Sequence, residues 1–418
     1  MKRHLLNLLI ITSITSTVSA VDLVRPVVNP NAEQKNTPGN ETSDKEKADS
    51  YVKRGNDFYY GKGVSEDHKQ AFQWYMKAAE LGSGEGKQLV GSLYLIGDGI
   101  AVDYKKAKEY LEQAIVLNNP AAYNDLGFLY ENGLGVPKDN KQAQAFYEKS
   151  ASLENPYGML NLGRFYELGV NSPADYKKAL QLYKKSADLG LARAYNSIGL
   201  MYEQGEGVQQ DNKEAAQWYQ KGADQNDSDS QNNLGNLYSQ GLGVAYDPAK
   251  AVKLFNLSAA QGNVYANYNL AVMYYDGRGV PQDYKKAIEL YTLAAKQGYP
   301  NAEYNLGYIY QQGTGVPVDY NKAMELYTKA ANAGSGPANN NIGFMYENGQ
   351  GVAQNMGQAA QWYQKAAQLN NPDGLYNMGR LYEEGKGVAK DIQKAKDYYQ
   401  RAAKLGQTDA QKALEKLG

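Results

Sequence analysis

The chain has 418 residues, too many for one compact core, and 44 basic against 45 acidic residues leave it close to neutrality. Without the first twenty residues the balance is 42 against 45, which excludes a nucleic acid or an anionic membrane as the main partner, since basic surfaces bind both. No cysteine occurs among 42% hydrophobic and 21% charged residues, so disulfides, thiolate metal sites and a cysteine nucleophile are excluded as well.

Lys2, Arg3 and His4 precede the apolar run Leu5 to Ile14 and the small-residue site Val18-Ser19-Ala20, the order of an export signal cut after residue 20. The run is well short of the ~20 residues a spanning helix needs, so no integral membrane segment is expected after cleavage. Residues 21–48, with Pro26, Pro30, Pro38 and a polar stretch without hydrophobic period, read as a disordered tether.

From residue 49 the chain repeats itself. A Gly-x-Gly-Val element places its first glycine at 61, 97, 133, 169, 205, 241, 277, 313, 349 and 385, always 36 residues apart. Ten copies in register predict a stack of identical helix pairs. In the copy that starts at Asn301, Ala302, Leu306, Ile309 and Tyr310 recur at helical spacing, and Gly313 closes that first helix. Six residues after each loop glycine stands an N-cap for the second helix: Asp67, Asp103, Asp139, Asp175, Asp211, Asp247, Asp283, Asp319, Asn355 and Asp391. Four residues further, alanine occupies all ten copies, from Ala71 to Ala395, on a stripe that continues through residues such as Leu326, Tyr327 and Ala330. The glycine six residues before the loop glycine recurs in nine copies, with Ala271 in the tenth, and implies a contact that excludes a side chain. In the fourth copy Asn171 replaces the second loop glycine, which asparagine does best among residues with side chains. After Gly406 an eleventh unit begins and stops after one helix, with Glu415 where the framework glycine would be, as a capping helix requires.

The predicted fold is therefore all-α: an α/α superhelical solenoid over residues 49–418, of ten 36-residue repeats and a terminal capping helix. The pattern Ala-x-x-x-Leu-Gly-x-x-Tyr-x-x-Gly-x-Gly-Val-x-x-Asp-x-x-Lys-Ala-x-x-x-Tyr-x-x-Ala-Ala-x-x-Gly resembles the Sel-one-like repeat, a relative of the tetratricopeptide helix pair. The resemblance implies an adaptor for protein complexes. Its bacterial members are often exported and act in envelope regulation, polysaccharide assembly, host contact or immunity to secreted toxins. The expectation is a bacterial, periplasmic or secreted, monomeric scaffold that is not an enzyme and needs no cofactor or metal.

Residues suited to chemistry are few. His4 leaves with the signal, and His68 beside the cap Asp67 reads as a lone surface histidine without partners at set geometry. The Gly-x-Gly elements lie between helices without the strand a dinucleotide site requires, and Gly82 to Lys87 misses the P-loop spacing by one. Glu131, Glu167, Glu203, Glu347 and Glu383 recur near the ends of first helices and read as an acidic solvated row. Paired carboxylates leave an alternative, a cell-wall-related hydrolase or a direct inhibitor of such an enzyme.

By analogy with tetratricopeptide grooves, first helices line the concave side. The stripe not needed for packing lies twelve, nine, five and two residues before each loop glycine. On it stand Tyr265, Tyr268, Tyr275, Tyr304 and Tyr308, continued by Phe344 and Tyr376, with Asn232, Asn301 and Asn340 between them. Tyrosine supplies apolar area with a hydroxyl at low entropic cost, and asparagine can bond a peptide backbone or a sugar. These residues are the expected site for a protein, an extended peptide or a glycan.

Overall fold

Helix starts and stops are encoded in each repeat, and the computed structural model, which describes residues 41–417, follows them with little variation. All ten second helices, from His68–Glu80 to Ile392–Lys404, begin after a residue whose side-chain oxygen accepts a backbone N–H two or three positions on; nine are aspartates and the tenth is Asn355. Each bond satisfies a donor the helix itself cannot, worth about 1 kcal/mol. The loop glycines take left-handed φ angles between 63° at Gly61 and 75° at Gly205, and Asn171 adopts 65° in place of its missing glycine. A second left-handed position, at the turn between repeats, holds glycine in six copies, Asn118, Asn226 and Asn370 in three, and Glu154 in one.

Within each unit helices that follow one another in the chain pack together, as Gly84–Ile96, Tyr104–Val116 and Pro120–Asn132 do in the first and Val264–Asp276, Tyr284–Lys296 and Pro300–Gln312 do in the second. Twelve- to thirteen-residue helices are marginal alone, so this burial holds them. The chain divides into two compact units, Met1–Ser230 and Gln231–Gly418, each an all-α repeat solenoid in its described residues, among which no strand occurs. The last helix, Thr408–Leu417, lies on Ile392–Lys404 through Ala410, Ala413, Leu414 and Leu417, and leaves Glu415 exposed.

At the other end the first helix runs Glu41–Tyr59, so its opening turns fall inside the stretch expected to be a tether. Residues 43–49 contain no glycine, proline or β-branched residue, and Ala48 and Val52 reach the first core cluster beside Ala71 and Tyr75, which rewards the extra turns. The expected signal, 1–20, and the tether through residue 40 lie outside the described residues.

The recurrent mid-helix glycine has a specific reason. A Cβ on Gly127 would sit 2.6 Å from the ring of Tyr147, and one on Gly199 would sit 2.4 Å from that of Tyr219. These tyrosines, fourteen residues after the loop glycine, are the largest fully buried side chains, and at Gly127 and Gly199 the missing Cβ leaves room for the ring between the two helices of the repeat, whereas Tyr291 is buried in the repeat that carries Ala271.

Candidate partner-binding surface

Buried tyrosines carry a hydroxyl that must find an acceptor, and first-helix side chains provide it: Asn56 for Tyr75, Gln311 for Tyr327 and glutamates in five other repeats. Tyr147 donates to Glu131 at 2.8 Å, Tyr219 to Glu203 at 2.5 Å, Tyr363 to Glu347 at 2.6 Å and Tyr399 to Glu383 at 2.6 Å; Tyr183 donates to Glu167 in the same way. Arg164 adds bonds of 2.6 and 2.7 Å to both oxygens of Glu131 one repeat away, and Arg380 bonds Glu347 at 2.7 Å. The Glu131 and Glu347 side chains are only 16% and 18% exposed, so the row is not solvated as expected but structural. Burial raises the Glu167 and Glu203 carboxyls above the usual range, against the lowering effect of the tyrosine bonds. Burial, with the nearby carboxylates, also holds Tyr183 and Tyr219 well above the ordinary tyrosine value. The repeats themselves carry the signal for this pairing: where the buried ring is Phe255 or the residue is Leu111, neither with a hydroxyl, the glutamate position holds Ser239 or Leu95.

A second cross-repeat device is an amide ladder. The residue eight before the loop glycine bonds the residue nine before it in the preceding repeat: Asn161 to Asn124 at 2.8 Å, Asn269 to Asn232 at 2.9 Å, Asn377 to Asn340 at 2.9 Å, and Asn305 to the Tyr268 hydroxyl at 3.3 Å. One repeat before Asn161 this rung is Asp125, fully buried, which accepts from Ser92 at 2.6 Å and Gln88 at 2.8 Å. Burial drives its carboxyl up to about 6, against the lowering effect of those bonds. Asparagine at this position in six of ten copies was the sequence signal for the ladder.

These two devices decide what the proposed site residues can do. Tyr268 is only 7% exposed, and its ring meets Tyr299 edge-on with centroids 5.0 Å apart. Tyr304 leans on Tyr327 at 5.7 Å, and burial pushes its hydroxyl up to about 12. Both rings are used in packing, Tyr268 buried and Tyr304 half-buried. Asn232 and Asn340 have their acceptor oxygens engaged in the ladder, and Asn301 donates to the Tyr299 hydroxyl at 3.2 Å. Tyr265, Tyr275, Tyr308, Phe344 and Tyr376 are half-buried, each keeping part of its ring in solvent. Tyr265 meets Tyr299 edge-on at 5.4 Å, while Tyr308 lies at the margin of the Tyr327 cluster.

The charge of the row on which they stand changes along the chain, and Glu347, Asp373, Arg380 and Glu383 restore it at the end of the second unit. Each of the first five repeats carries charge on it, at Asp49, Glu85, Glu131, Arg164 and Arg193 among others. From Asn232 to Phe344 fourteen consecutive row positions carry none, although 21% of the chain is charged. The half-buried aromatic rings cluster in this neutral stretch.

Elsewhere, His68 is not the isolated residue expected. Asp98 of the next loop faces its Nδ1, Glu66 lies 3.0 Å from its Nε2, and the Tyr59 ring stacks on it at 4.6 Å while the Tyr59 hydroxyl donates to Asp98 at 3.0 Å. Both ring nitrogens are thereby occupied by carboxylates of the fold. Among the described residues no group of three or more histidines and carboxylates is arranged to hold a metal ion.

A profile of the Sel1 repeat matches residues 48–83, 87–119, 120–155, 156–191, 192–227, 228–263, 264–299, 300–335, 336–371 and 372–407. Among solved structures, the chain is similar to a protective antigen present in uropathogenic Escherichia coli strains that displays an SLR fold, with 30% identity over 91% of this chain and 82% of that one and a TM-score of 0.62. It is also similar to a Sel1 repeat protein from Oxalobacter formigenes, with 31% identity over 74% of this chain and 90% of that one and a TM-score of 0.53. Comparison with curated proteins finds no match.

Proposed function

The chain belongs to the Sel1 repeat family, and from that premise we propose that it is an exported scaffold that holds a partner on the neutral aromatic row of its second unit. Proteins of this family typically mediate protein–protein interaction. The observation that carries the assignment to this row is the stretch from Asn232 to Phe344, where charge disappears while half-buried Tyr265, Tyr275, Tyr308 and Phe344 accumulate. Packing accounts for the buried Tyr268 and the ladder bonds engage Asn232 and Asn340, but neither accounts for the solvent-facing parts of these four rings. Amphipathic aromatic rings at modest exposure are the side chains that anchor interfaces.

Export is supported by the basic start, apolar run and Val18-Ser19-Ala20 site, and a protective antigen as a relative is consistent with a place outside the cytoplasm. N-terminal sequencing of exported protein is expected to begin at Val21; an intact Met1 overturns this part. The hydrolase alternative loses its stated residues, because its glutamates serve as acceptors for buried hydroxyls.

The partner reading is tested by capture from envelope extract on the immobilised full chain and on a Tyr308→Ser/Phe344→Ala variant. A specifically retained protein lost on the variant, with the melting temperature changed by only a few degrees, supports the row. Equal retention on both removes it.

A further inference from the structure

The chemistry of the row narrows what can occupy it, given that it is the partner site. We propose that the occupant is an uncharged, extended peptide segment of about ten residues, rich in proline and other apolar side chains.

Three observations on the second unit point this way. The first is the absence of charge at fourteen successive positions from Asn232 to Phe344. An ionic group brought against these positions would lose hydration without gaining an opposite charge from the row itself, and burying an unpaired ion costs several kcal/mol. The second is the state of the amides. A glycan is held chiefly by side-chain amides and carboxylates with free donors and acceptors, yet Asn232, Asn340 and Gln311 are engaged with Asn269, Asn377, Tyr327 and Gln350. Toward solvent the row presents the half-buried rings beside Asn301 and Pro337, and such rings suit the pyrrolidine faces and apolar side chains of an extended, proline-bearing segment, which has little conformational entropy left to lose. The third is length. The neutral stretch crosses the first helices of four repeats, and adjacent helices pack about 8–10 Å apart, so it extends about 30 Å. At about 3.1 Å per residue in the polyproline conformation, that length takes nine or ten residues.

Pro337 provides a way to change the charge without removing a ring. It lies on the row at the opening of the helix Gly336–Asn348, where an aspartate favours the helix through its dipole. The experiment selects displayed random decapeptides against the full chain and then measures the enriched peptides on the wild type, on Tyr308→Ser and on Pro337→Asp, with a linear N-acetylglucosamine hexamer as the sugar probe and thermal melts as the fold control. The expected result is enrichment of uncharged, proline- and apolar-rich sequences without helical periodicity, binding at least tenfold weaker to both variants, and no binding of the hexamer. If Tyr308→Ser loosens the fold, Pro337→Asp decides. Enriched peptides that are charged or show an i, i+3, i+4 helical pattern, yet lose binding on the variants, overturn the proposed chemistry and leave the row as the site. Hexamer binding lost on the variants has the same meaning. Peptides that bind the variants and the wild type equally overturn the row itself, and failure to enrich any peptide overturns the inference.

Discussion

Replacing Asp125 by asparagine is expected to stabilise the first unit, and to do so only at neutral and alkaline pH. The carboxylate is fully buried and its carboxyl is driven up to about 6, from an ordinary 3.8. Because the folded-state value lies above the ordinary one, the contribution of this group to stability is fully present below about pH 3.8 and is lost as pH rises through about 6. Two pKa units correspond to about 3 kcal/mol, the order of the cost of keeping the charge buried at pH 8. Asparagine removes that charge and keeps one oxygen to accept from Ser92 or Gln88, while its amide can donate to the Ser92 hydroxyl. It is also the residue that Asn161, Asn269, Asn305, Asn341 and Asn377 place at this position. Allowing for one weakened bond, Asp125→Asn is expected to gain about 1–3 kcal/mol at pH 8 and nothing at pH 4. Urea unfolding of the wild type and variant at several pH values between 4 and 8 measures the difference. A loss of stability at pH 8, or a difference that does not change with pH, would refute the reasoning.

Glu154 holds a φ of 59° at a turn where the other nine copies use glycine or asparagine, so Glu154→Gly is expected to raise stability by about 1 kcal/mol in thermal melts, and a drop would count against backbone strain there. Tyr219→Phe leaves the half-buried Glu203 carboxylate without its donor and is expected to cost about 1–3 kcal/mol, whereas adding Glu203→Ser, which recreates the natural Phe255 and Ser239 pair, should recover most of it. A double-mutant cycle with no coupling would show that the hydroxyl and carboxylate do not stabilise one another. Deleting residues 241–276, one whole period, is expected to leave a cooperatively folded helical protein, while an 18-residue deletion should not; equal helical signal by circular dichroism in the two would contradict nearest-neighbour stacking.

Much of this protein was legible from its residues because it is local. A cap bonds an N–H two or three residues away and a glycine sets its own φ, so Asp67 to Asp391 and Gly61 to Gly385 declared the helix boundaries before any packing was known. The 36-residue period then followed from repetition, and the stack of helix pairs from the inability of such short helices to stand alone. The site was less legible. Tyr268 and Tyr308 occupy equivalent-looking places on an amphipathic helix, but one is closed in by Tyr299 and Tyr291 and the other keeps a free edge. The glutamate row looked like a solvated face because each partner hydroxyl is sixteen residues away on another helix. Sequence by itself thus determined the period, the helices and their ends, where the deciding interactions span a few residues. Only the tertiary structure decided which tyrosines, asparagines and glutamates are held within the framework and which rings still face solvent, because burial depends on neighbours from the facing helix and the next repeat.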